Sequence, residues 1–249
     1  MDEREGGALD GGRTGPSFAR SAARVGSHAG DRLVDPEAAA AQSEGGDARG
    51  AGRLQKKLAD VVAEEAALHP DKPVETFATD EHRLGLKPVV RRVWAPIGER
   101  PTAHGHHRFE WLYVTAFVSP ATGEVFWYVS NGVSKPFFEA LLRLFAEEAA
   151  AWRDRIIVLV LDNAGWHREA GLEVPEGIRL VFQPAYTPEV QPAETLWTLV
   201  DEPIVNKHIA DLDALDEIIS TRCAALANEP PTIRRRAGFR WWPKIANPS

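Results

Sequence analysis

The chain has 249 residues, 44% hydrophobic and 26% charged, with a net charge of -7 from 29 basic and 36 acidic side chains. That length suits one large domain or two small ones with a real core, and the acidic balance argues against coating nucleic acid by bulk charge while allowing a local basic groove. No stretch approaches the length of an apolar membrane span, the N-terminus MDEREGGALD lacks the bases and apolar run of a signal peptide, and the single cysteine, Cys223, excludes an internal disulfide or a Cys-based zinc site; a soluble, cytoplasmic protein is expected.

Residues 1–50 hold 10 of the 20 glycines, and only six of these fifty are Val, Ile, Leu, Met or Phe. Such a segment buries too little apolar surface to offset its ordering entropy, so residues 1–51 are read as disordered. Residues 52–70 follow as a linker helix: Leu54, Leu58, Val61, Val62, Ala66 and Leu68 recur near helical spacing, and Pro70 ends it. Residues 71–249 hold all eight tryptophans but one feature is more telling, the change of period to strands.

Val74–Thr79 is short, β-leaning and partly alternating, and runs into Asp80 and Glu81. Residues 89–94, 109–118 and 124–129 are β-branched and aromatic, the last after a Pro120–Gly123 turn. Residues 137–152 read as a helix with Ser134 as N-cap and Pro136 in the first turn. Ile156–Leu161 (IIVLVL) is unbroken apolar, as in a strand covered on both faces. Ile178–Phe182 is another strand. Residues 193–200 and 211–227 are helical, and residues 228–231 close the fold ahead of a basic tail. Strands feeding alternating α and β elements imply a mixed sheet with helices on both faces.

Three acids stand at strand ends or a helix start: Asp80, Asp162 directly after IIVLVL, and Glu194 just after Pro192. Sites in such sheets gather at the carboxyl ends of strands. Three converging carboxylates would suit Mg²⁺ or Mn²⁺. Taken one at a time, plainer roles are open. Asp162-Asn-Ala-Gly165 can be a turn exit. Glu194 can complement a helix dipole, worth roughly 0.3–1 kcal/mol. Asp80-Glu81 can be a solvated loop.

The set is more specific than its members. Asp162-Asn-Ala-Gly-Trp-His167 precedes Phe182-Gln-Pro-Ala-Tyr-Thr-Pro-Glu-Val-Gln-Pro-Ala-Glu194-Thr-Leu-Trp197, and residues 78–88 and 92–98 lie upstream. This pattern resembles the catalytic domain of DDE transposases of the bacterial insertion-sequence family related to mariner elements, over about residues 72–245. The resemblance implies an RNase H-like, mixed five-stranded sheet flanked by helices. It implies Asp80, Asp162 and Glu194 as catalytic, metal-binding residues for two Mg²⁺ ions, with Mn²⁺ able to substitute. The implied chemistry is cleavage of double-stranded DNA at transposon ends and joining of the 3′ hydroxyl to target DNA, by a dimer in relatives, in the bacterial cytoplasm at the nucleoid. Thirty-one residues separate Asp162 from Glu194, slightly fewer than in the wider group.

Around the triad, Glu81, Asn163 and His167 are read as supporting residues: Glu81 as an ion-pair partner, the other two as groups that orient a carboxylate, a water or a phosphate. Tyr186 and Trp197 are read as packing residues. Pro184, Pro188 and Pro192 stiffen the loop that delivers Glu194. His104-Gly-His-His107 lacks other ligand types nearby and is not read as a zinc site. DNA contacts are expected from a basic hairpin, Arg83, Lys87, Arg91, Arg92, Arg100 and Arg108, and from Arg234, Arg235, Arg236, Arg240 and Lys244. Trp241 and Trp242 are expected to fold onto the core.

Residues 1–50 show nothing like the helix-turn-helix modules that full-length relatives carry for end recognition. The segment reads like an out-of-frame or degraded stretch, and the enzyme is expected to be truncated, lacking its end-binding domain. Two other readings stand beside the enzyme: a non-catalytic remnant that binds DNA or a full-length transposase and inhibits it, and an RNase H-like nuclease acting on RNA–DNA hybrids, which rests on fold analogy alone.

Overall fold

A computed structural model describes residues 48–91, 110–167, 171–184, 187 and 190–248. The elements in chain order are α1 (Ala48–Leu68), β1 (Val74–Gly85), β2 (Trp111–Val118), β3 (Val125–Ser130), α2 (Lys135–Glu148), β4 (Ile156–Leu161), β5 (Ile178–Phe182), α3 (Trp197–Asp201), α4 (Leu212–Ala227) and α5 (Pro230–Ala237). Short 3-10 turns occupy Gly165–His167 and Ala193–Leu196.

The five strands form one sheet in the order β3-β2-β1-β4-β5. β1, β2 and β3 pair antiparallel, while β1, β4 and β5 run parallel. This is the RNase H-like arrangement the resemblance implies. β1 is central, and its first six residues are all buried. All six residues of β4 are buried too, because helices cover both faces.

Side chains alternate between the faces. On one face Phe77, Phe117, Ile157, Leu159 and Leu161 pack with Phe138, Leu142 and Phe145 of α2. On the other, Ala78, Val114, Ile156, Val158 and Val160 pack with α1, α4 and α5. Leu54, Leu58 and Val62 of α1 belong to this second core, so α1 packs as a layer of the fold rather than spanning a gap.

Several boundaries differ from the expectation. β1 continues to Gly85, which places Asp80 inside a strand rather than at its end. Residues 89–91 are not strand; Asn206 pins them through Arg91 N–H and C=O, and residues 92–94 lie outside the described ones. α2 stops at Glu148 because Ala150 and Trp152 take positive φ, 52° and 63°. Pro230 and Pro231 open a helix instead of closing the fold, proline being suited to a helical first turn. Gly123 turns β2 into β3 with φ 84°, and a Cβ there would lie 2.1 Å from the Pro230 carbonyl oxygen.

Candidate active site

The β1–β4 register pairs Ala78 with Val160. Two residues further along each strand direction come Asp80 and Asp162, so parallel pairing brings both carboxylates to one end of the sheet, where the charge of Asp162 acts on Asp80. Asp80 lies on the face of α3 to α5 and Glu81, one residue on, lies on the α2 face. The two acids therefore have separate environments.

Asp80 accepts a hydrogen bond from the Trp197 indole N–H at 3.0 Å. Burial pushes its pKa up to about 6; the Trp197 bond opposes this, and the charges of Glu81 and Asp162 add to it. A cation beside Asp80 would relieve both burial and repulsion.

Asp162 is held by its own loop. The Ala164 N–H donates to Oδ1 at 2.9 Å, and His167 Nδ1 lies 2.6 Å from the same oxygen. Burial works against ionisation here, but these bonds outweigh it and keep the carboxyl below its ordinary range. Asn163 does not reach the carboxylates; its Nδ2 donates to the Gln183 carbonyl at 2.7 Å and ties the loop to the end of β5.

His167 is fully buried, with its ring against Phe138 at 4.2 Å. Its Nε2 lies 3.0 Å from Glu81 Oε1. Burial disfavours its charge, yet the bonds to Asp162 and Glu81 raise its pKa to about 9. At neutral pH it is an imidazolium donating from both nitrogens. Glu81 thus serves as the expected ion-pair partner, and His167 orients Asp162 from behind.

Glu194 is exposed in the first turn of the 3-10 segment Ala193–Leu196, whose Ala193 and Leu196 are fully buried. Gln191 Nε2 donates to the Thr79 carbonyl at 3.0 Å, tying this segment to the strand of Asp80. Among the described residues no three His, Cys, Asp or Glu side chains enclose a metal position together. The donor chemistry of Asp80 and Asp162, adjacent carboxylates of which one is burdened by burial and like charge, nevertheless fits a hard divalent cation.

Two contributors were not apparent from the sequence. Trp197, read as packing, is buried but also donates to Asp80, and His82 stacks on it at 5.0 Å while bonding Asp201 at 2.9 Å. The E-x-x-W spacing was the available signal, since it puts Trp197 one turn beyond Glu194. Arg236, expected on DNA, donates to Thr195 and Thr198, and no sequence signal links them.

Of the other basic residues, Arg83 lies over the Trp111 ring at 4.5 Å and Lys87 is exposed. Arg91 bonds Glu202 at 2.8 Å and the Thr198 carbonyl at 3.1 Å. Arg234 and Arg235 line an open cleft of about 440 Å³ with Thr122, Pro230 and Pro231. These three arginines, Arg234 to Arg236, sit on α5 rather than in a tail. Arg240 and Lys244 are exposed. Trp242 is buried, its indole N–H donating to the Thr76 carbonyl at 3.3 Å, as expected of a core residue. Arg92, Arg100, Arg108, Tyr186, Pro188 and the histidines at 104, 106 and 107 lie outside the described residues. No helix among the described residues is long and apolar enough to cross a membrane.

The chain is 33% identical over 139 residues to the uncharacterized protein y4pE/y4sA of Sinorhizobium fredii (strain NBRC 101917 / NGR234), covering 53% of this chain and 96% of that protein. It is 27% identical over 159 residues to the insertion element IS630 uncharacterized 39 kDa protein of Shigella sonnei, covering 62% of this chain but only 43% of that protein. Among solved structures, the Mos1 mariner paired end complex with Mn is similar at 13% identity and a TM-score of 0.48, over 87% of this chain and 67% of that one. Residues 75–216 match the DDE superfamily endonuclease family, a span that contains Asp80, Asp162 and Glu194. The chain therefore belongs to the DDE superfamily endonuclease family.

Proposed function

We propose that Asp80, Asp162 and Glu194 hold two divalent ions, Mg²⁺ or Mn²⁺, for cleavage of double-stranded DNA at insertion-sequence ends and transfer of the cut strand. The observation that carries this reading is the β1–β4 register, which ends two residues before Asp80 and Asp162, with the charge of Asp162 acting on Asp80. Held by these carboxylates, divalent ions would supply activation of a water and stabilisation of the leaving oxygen of a phosphodiester.

The chain's own residues supply orientation. His167 and the Ala164 N–H hold Asp162 ionised, with one oxygen fixed. Trp197 fixes Asp80, and Gln191 joins the Glu194 segment to β1. Cleavage consumes one water and breaks one P–O bond, leaving a 3′ hydroxyl and a 5′ phosphate. In joining, that hydroxyl displaces the 3′ oxygen of a target phosphodiester, so one P–O bond is exchanged for another. Arg83, Lys87, Arg234, Arg235, Arg240 and Lys244 are exposed and suited to phosphates. A homodimer would present two such sites to paired ends.

The test is Mn²⁺ titration calorimetry and plasmid nicking on the protein and on Asp162→Asn. Saturable binding and nicking, both lost in the variant, are expected. Equal nicking by the variant would overturn the triad, and no Mn²⁺ binding even with DNA present would favour the non-catalytic, inhibitory remnant.

A further inference from the structure

The segment that delivers Glu194 is short, a four-residue 3-10 turn followed by the five residues of α3. So brief a helix has little stability by itself. Neither part has a side-chain cap. Its acceptors are met from elsewhere in the chain. Arg236 Nε donates to the Thr195 carbonyl at 2.9 Å, and its Nη2 donates to Thr198 Oγ1 at 2.8 Å. Thr195 immediately follows Glu194. Arg91 reaches the same segment from the opposite side of the sequence, donating to the Thr198 carbonyl at 3.1 Å.

Arg236 has a rigid base to work from. Ile233 and Ala237 of α5 are fully buried, and the Pro230 carbonyl lies against Gly123 in the β2–β3 turn. α5 is thus a strut, seated at one end on that turn and at the other on the Glu194 segment. It lies beyond residue 216, where the family match ends. Consecutive helical residues project about 100° apart, so three adjacent arginines cannot share one target. Arg234 and Arg235 line the open cleft beside Thr122, while Arg236 turns to Thr195.

We propose that Arg236 is a positioning residue for Glu194, and that the run Arg234–Arg236 is divided between phosphate contact and orientation of the active-site segment. This rests on the reading of Glu194 given above. A guanidinium suits the role because its planar fork fixes two donors at once, which a lysine cannot reproduce. Its exposure makes the bonds nearly neutral for global stability, so position is what they govern.

The experiment compares the full chain with Arg236→Lys, Arg235→Gln and Glu194→Gln. Hydrogen exchange of peptides over residues 190–200, Mn²⁺-dependent plasmid nicking at saturating DNA, and the salt dependence of binding to a DNA duplex are measured on each. Arg236→Lys is expected to speed exchange over 190–200 about tenfold and to lower nicking about tenfold, with the salt slope unchanged. Arg235→Gln is expected to reduce that slope by about one. Unchanged exchange in Arg236→Lys overturns the clamp whatever the activity. A reduced salt slope with unchanged nicking makes Arg236 a phosphate contact and also overturns it. Nicking by Glu194→Gln equal to the parent's brings down the triad reading itself, and leaves Arg236 with a structural bond only.

Discussion

Trp197 donates its indole N–H to Asp80 at 3.0 Å, so one hydrogen bond joins the strand of the first carboxylate to the helix that follows the last. That bond lowers the cost of a buried charge without removing it, and Asp80 stays at a pKa of about 6. A carboxyl raised above its unfolded value destabilises the fold once ionised, so its contribution worsens as pH rises from about 4 through 6. Asp80→Asn should therefore stabilise the metal-free protein at pH 7, by ~1–3 kcal/mol, while still accepting from Trp197. Urea denaturation in chelator at pH 7 and pH 4 checks this; the gain is expected at pH 7 and absent at pH 4.

His167 has the opposite sign. Its pKa of about 9 lies above the unfolded value of 6.5, so its stabilising contribution is complete below about pH 6.5. The contribution is lost as pH rises through about 9. His167→Gln should lower stability by roughly 2–4 kcal/mol at pH 6.5, since Glu81 and Asp162 lose a buried cationic partner. Thermal midpoints from pH 6 to 10 should converge for parent and variant at the alkaline end.

At the far end of β1, Arg155 donates to Glu75 at 2.7 Å and to Glu124 at 2.7 Å. Ser119 Oγ adds a bond to Glu75 at 2.6 Å. Arg155→Met would strand the buried Glu75 and should cost about 3–5 kcal/mol. Combining it with Glu75→Gln should recover much of that loss, because the uncompensated charge is then gone. A double-mutant cycle by urea denaturation measures the coupling.

Cys223 is fully buried in α4, and burial pushes its thiol up to about 12. Native protein at pH 8 should react with a disulfide reagent at least a hundredfold more slowly than free cysteine, and at the ordinary rate in denaturant. Rapid native labelling would show that α4 opens readily.

Much of the fold was legible in the chain because its signals are local. IIVLVL announced a strand covered on both faces, and all six residues are buried. Ser134 announced the start of α2 and accepts from the Phe137 N–H at 3.4 Å. The proline pair at 230 and 231 misled, since proline both ends elements and opens helices, and only packing against Gly123 and the α4 face selects between them.

The sequence by itself carried the motif that resembles a DDE family, and the match over residues 75–216 contains its members Asp80, Asp162, His167 and Glu194. Tertiary structure decided how they are held. Alternation sends Asp80 and Glu81 to opposite faces, so Glu81 reaches His167 on the α2 side while Asp80 meets Trp197 on the other. The Arg236 clamp joins residues 41 positions apart in the chain, and Trp197 meets Asp80 across 117. Local periodicity carries no information about such partners, because they are chosen by which elements pack together and not by the propensity of any one of them.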